Sequence, residues 1–221
     1  MAFNQSYTSQ QGMRSVIETN KVLKNTYLLL GMTLAFSAVT AGISMALNLS
    51  HLVGLICSLA AFGVLFALNR KADSAAGVGL VFLFTGLLGV ALGPTLNHYL
   101  QMPGGSMLIM QALGSTALVF FGLSAYALTT KKDFSFMGGF LIVGLVVVLI
   151  TGIVNIFLGS SLLFMVLNAA IVLIMSGLIL FDTSRIINGG ETNYVRATVS
   201  LYLNIYNLFT AILHLLGSSD D

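Results

Sequence analysis

The chain has 221 residues, 57% of them apolar and only 7% charged, with a net charge of +2. A water-soluble domain carries about 25% charged residues, so a chain this poor in charge cannot cover a solvent-facing surface, and a bilayer must take the place of water. The slight basic excess calls for no nucleic-acid partner, because membrane topology accounts for it.

The opening stretch, MAFNQSYTSQQGMRSVIETN, is polar and lacks the apolar core of a cleavable signal peptide. Met1–Asn20 therefore reads as a polar cytoplasmic tail, ending in a short interfacial helix through Met13, Val16 and Ile17. Seven apolar runs follow: Thr26–Leu47, His51–Leu68, Ala75–Leu96, Met107–Leu128, Phe134–Leu158, Leu162–Leu180 and Ala197–Leu216. Each is about as long as a membrane-spanning helix requires. Barrel strands would instead alternate in polarity over about ten residues. The expected fold is an all-α polytopic membrane protein, with one transmembrane domain over 21–217 and a short outer tail at 218–221.

The first run carries a stripe of small polar residues, Thr33, Ser37, Thr40 and Ser44. The second holds the single Cys57, which reads as a small buried hydrophobe. In the third, Gly89 and Gly93 form a GxxxG pair near Gly86, suited to close helix approach. Pro94 is expected to end or kink that span. Asn155 adds an amide to the fifth run. The sixth is free of charge until Asp182, with Arg185 three residues on. In the seventh, Ser200, Asn204, Asn207, Ala211 and His214 share one helical face. Polar groups do not face lipid unpaired, so this face is expected to point into the bundle or a wet cavity.

All nine basic residues fall before the first run or in alternate connections: Arg14, Lys21 and Lys24, then Arg70 and Lys71, then Lys131 and Lys132, then Arg185 and Arg196. The other three connections hold none. Short basic loops stay cytoplasmic, which predicts an inside N-terminus and an outside C-terminus.

Two readings of Asp182 stand at this point. In one it makes an interfacial ion pair with Arg185, on the same helical face. In the other the helix continues through Ile186 and Ile187, and Asp182 lies partly inside the bundle as an ion- or pH-sensitive group. No second carboxylate lies within the runs, and a hard cation such as calcium prefers several oxygens. Nothing in the pattern calls for a cofactor. A single membrane acid and the lack of an HExxH motif argue against an enzyme.

The segments GSTALVFFGLSAYALTTKKDFSFMGGFL, FDTSRIINGGETNYVRATVSLYLNIYNLF and GPTLNHYL resemble the Bax inhibitor motif family of seven-span proteins. The resemblance covers the chain from about Lys21 to Gly217 and is nearest a bacterial branch that modulates the FtsH protease. It implies a central seventh helix ringed by the other six, in the bacterial inner membrane. It also implies two jobs. One is a pH-sensitive calcium leak, in which paired aspartates on the sixth and seventh helices work with an arginine latch on the second. Those positions fall on Asp182, Asn204 and Arg70, so here the pair is one acid and one amide, with Asn207 a turn further on. The other job is binding and restraining the membrane-anchored, ATP-dependent protease FtsH with its HflK–HflC partners, as inhibitor and slow substrate. The tail from Met1 to Asn20 is then the end that the protease grips.

Overall fold

The computed structural model describes residues 2–218, with side chains from Glu18 onward. Seven α-helices follow in order: α1 Ala2–Ala46, α2 His51–Lys71, α3 Ala76–Leu100, α4 Gly105–Thr130, α5 Gly138–Leu158, α6 Ser161–Ile187 and α7 Tyr194–Gly217. One turn of 3₁₀ helix, Ser135–Met137, leads into α5. From Glu18 onward, all seven are long and apolar enough to cross a membrane. The protein is an all-α, seven-span membrane protein. Each sequence-predicted run lies within a span apart from end residues such as Leu47 and Ala75.

Two boundaries matter for function. α6 continues seven residues past Leu180, which places Asp182 inside a helix. α3 continues through Pro94 to Leu100, so the proline does not end the span. A proline in a helix leaves the carbonyl four residues back without its usual donor. That carbonyl belongs to Val90, and Ser44 Oγ of α1 donates to it at 2.8 Å. A partner of this kind is needed because the bilayer core has no water to supply one.

α7 is the most buried of the seven spans. It packs directly against α6, α4, α1 and α3. The expected ring of six is therefore split: α2 leans on α3 and α5 leans on α6, as outer helices one step from the centre. Leu201, Leu208 and Leu213 of α7 are fully buried. Large side chains such as Phe140, Phe157 and Leu118 project outward from α5 and α4, where lipid replaces water as the solvent.

The α1–α3 contact explains the stripe and the glycines together. Side chains at Gly86, Gly89 and Gly93 would run into Phe36, into Ser37 and Thr40, and into Ser44. Ser37 Oγ shares a 2.6 Å hydrogen bond with the Tyr202 hydroxyl of α7, which in turn reaches the Thr85 carbonyl at 3.3 Å. Interhelical hydrogen bonds in membranes average about 0.6 kcal/mol each, so close backbone approach is the larger contribution here.

The end of the bundle that carries the basic connections is tied together by side chains. Arg196 Nη2 lies 2.9 Å from Asp73 Oδ2, and Asn193 Nδ2 donates to Asp73 Oδ1 at 2.6 Å. Asn193 also caps α7 by accepting from the Val195 and Arg196 amides. The Ser184 hydroxyl donates to the Lys132 carbonyl and accepts from the Phe134 amide, both at 3.0 Å.

Replacing Gly89 by Leu should destabilise the fold by about 1–3 kcal/mol, because it overpacks a backbone contact. Gly31→Leu, at a glycine with nothing within 4 Å of its Cβ position, should not. Thermal midpoints in detergent compare the two, and equal midpoints would refute the packing account.

Candidate functional site

Asp182 sits on α6 about 7–8 Å along the axis from the helix end at Ile187, at 1.5 Å per residue. Its side chain turns inward to α7 and is 8% exposed. Both of its α7 partners converge on one oxygen. Ser200 Oγ donates to Asp182 Oδ2, and Asn204 Nδ2 donates to the same atom at 2.8 Å. Ser200 and Asn204 are four residues apart, one above the other on a single face of α7, which is why both reach the carboxylate.

Arg185 has other partners. Its guanidinium donates to the Gly190 carbonyl at 3.1 Å, lies 3.9 Å from Glu191 and stacks over the Phe181 ring at 5.5 Å. The interfacial Asp182–Arg185 ion pair is thus replaced by two separate arrangements. The two share a side of α6, but Asp182 is drawn across the α6–α7 seam by the donors of Ser200 and Asn204. Arg185 snorkels to the loop that joins those helices.

Arg70 is exposed near the end of α2 and makes no hydrogen bond or ion pair among the described residues. Its helix packs on α3, away from the α6–α7 seam. The arginine that bridges connections at this end is Arg196. Asn207 points away from Asp182. Its Nδ2 donates to the Leu203 carbonyl at 2.8 Å, and its side chain lines a separate cavity of about 400 Å³ between α5, α6 and α7. Met1 and the side chains of residues 2–17 lie outside the described residues, so of the expected tail only Glu18–Asn20 is fully visible. Asn20 is exposed there.

The residues around Asp182 do not fit calcium. Asn204 presents its amide nitrogen, not its oxygen, to the carboxylate. Among the described residues, no three His, Cys, Asp or Glu side chains gather as a metal-holding group. One carboxylate with a hydroxyl and an amide hydrogen on the same oxygen makes a polar clasp between α6 and α7, not a cage of oxygens.

Sequence reasoning placed Ser200, Asn204, Asn207 and His214 on one face, and the structure divides that face in two. Its first two residues hold Asp182, while Asn207 and His214 line the cavity. Tyr202 went unremarked, although it bridges α1, α3 and α7. Its signal was present as a tyrosine hydroxyl deep in an apolar run, where it must find a partner.

This architecture defines a class: a polytopic helical membrane protein whose central helix bonds a buried carboxylate of its neighbour. Residues 19–221 match the family described as inhibitor of apoptosis-promoting Bax1, and the chain belongs to that Bax inhibitor motif family. An uncharacterized membrane protein of Vibrio cholerae is 52% identical over 212 residues, which cover 96% of this chain and 95% of that one. The Escherichia coli K12 protein named modulator of FtsH protease YccA is 52% identical over 211 residues, 95% of each chain. A Pseudomonas aeruginosa protein is 43% identical over 96% of each.

Asn204→Asp should set a second carboxylate against Asp182. Repulsion between the two is greatest at high pH and eases when they share a proton. The variant should therefore melt well below the parent at pH 8, and the gap should narrow at pH 5. A gap that is constant with pH would show that the two side chains do not face each other in the folded protein.

Proposed function

We propose that this protein modulates a membrane-anchored, ATP-dependent protease of the FtsH type, as a regulatory partner and not as an enzyme. The observation that carries the reading is its 52% identity, over 95% of both chains, to the Escherichia coli protein named modulator of FtsH protease. A relative of the same length and identity is also named an inner membrane protein, which supports the inner membrane as the location. The basic connections favour a cytoplasmic N-terminus and an outer C-terminus. The contacts of Asp73, Lys132, Asn193 and Arg196 gather the basic connections at one end of the bundle.

On this reading residues 1–20 form a cytoplasmic extension of the transmembrane domain, and residues 218–221 lie outside. The extension is polar and offers the protease a place to engage, while the bundle resists extraction, so the chain acts as inhibitor and slow substrate together. HflK–HflC join as partners of the protease.

Crosslinking in native membranes followed by affinity purification should recover FtsH, with HflK and HflC in the same fraction. Recovery of none of them after efficient crosslinking would defeat the proposal. Deletion of residues 2–20 should lengthen the lifetime of this protein in cells that carry the protease. An unchanged lifetime would show that the tail is not where the protease engages.

A further inference from the structure

The packing of α2 on α3 brings two histidines to one cleft. The helices run antiparallel, and Gly54 of α2 lies against α3, its Cβ position 3.1 Å from the Ala91 carbonyl and 3.5 Å from Pro94 Cγ. His51 stands three residues before Gly54, and His98 four residues after Pro94. Each therefore lies one turn beyond that contact, on the contacting face and toward the same end of the bundle. This end carries the α1–α2 turn, opposite the basic connections. A cleft of about 230 Å³ opens there, lined by Asn48, His51, Asn97, His98 and Gln101, with Leu49 and Pro94 as its apolar part.

The cleft has a fixed wall and free ligands. Asn97 commits both amide hydrogens to the end of α1, donating from Nδ2 to the Met45 carbonyl at 3.0 Å and to Asn48 Oδ1 at 3.1 Å. Asn48 has φ 48°, in the left-handed region that asparagine tolerates. The α1–α2 turn is thus held to α3. The imidazoles of His51 and His98 are exposed, and neither makes a hydrogen bond or ion pair among the described residues. The Gln101 amide, one turn past His98, is also unclaimed and can present either its oxygen or its nitrogen. No carboxylate, Lys or Arg lines the cleft. Imidazole suits zinc, copper and nickel, whereas calcium and magnesium prefer carboxylate and carbonyl oxygens. Most zinc sites take three or four protein ligands, so two imidazoles need an amide oxygen and water beside them.

We infer that this cleft binds a divalent late transition-metal ion of the zinc class through His51 and His98, with Gln101 and water completing the coordination. The ion ties the first turn of α2 to the last turn of α3. α2 rests chiefly on α3, so this link secures the attachment of α2 to the bundle.

Purified protein in detergent, without a polyhistidine tag, tests this. Zn²⁺ at about a hundredfold above its dissociation constant should raise the thermal midpoint by about 5 °C. Ca²⁺ or Mg²⁺ at the same concentration should not. By calorimetric titration, His51→Ala and His98→Ala should each weaken Zn²⁺ binding at least about tenfold, since loss of even an outer-shell partner costs about that much. His214→Gln, at the half-buried histidine of α7, should leave it unchanged. Both cleft histidines are exposed, so the metal-free midpoints of their variants should match the parent. Electron paramagnetic resonance with Cu²⁺ gives a second readout: two imidazoles coupled to the ion in the parent, one in either single variant. Absence of Zn²⁺ binding by the parent, full-strength binding by either cleft variant, or equal stabilisation by Ca²⁺ would each overturn the inference.

Discussion

A carboxylate inside a helical bundle must be given hydrogen-bond donors by its neighbours, because lipid offers none. Asp182 receives two from α7, and both act on the same oxygen. This clasp sets how α6 and α7 lie against each other. A slide of one residue along either helix would carry Ser200 and Asn204 off the acid. α7 is the centre of the bundle, so its register against α6 propagates to α1, α3 and α4, which pack on its other sides.

The same demand for partners recurs at Pro94 and at Tyr202. Pro94 frees the Val90 carbonyl, and Ser44 answers it from α1. Tyr202 brings a hydroxyl into the core, and Ser37 and Thr85 meet it. The glycines of α3 allow these small polar groups to come close enough to bond. The polar stripe of α1 and the glycine face of α3 are therefore two halves of one contact.

Within the Bax inhibitor motif family, the pairing of Asp182 with Asn204 has a chemical consequence. An acid and an amide can form a stable hydrogen bond at any pH at which the acid accepts. They cannot share a proton between two like groups as two acids do. The seam between α6 and α7 is thus built as a fastening.

The number of spans, their helical nature and the face of α7 that turns inward were all fixed by local pattern. Long uncharged runs and a 3.6-residue spacing of polar side chains need no knowledge of neighbours. The glycine packing on α3 was legible for the same reason. The partners were not. Whether Asp182 meets Arg185, Arg70 or an α7 amide depends on how far α6 continues past Leu180 and which way its last turns face. Those are set by burial against α7, a helix whose first residue is Tyr194. Arg185 and Asp182 look like partners in one dimension, but in three the acid is drawn into the seam and the guanidinium out to Gly190 and Glu191. Sequence alone thus determined which residues must be inside the membrane and paired. Tertiary packing alone decided with whom, because the donors come from helices distant in the chain and meet only when the bundle closes.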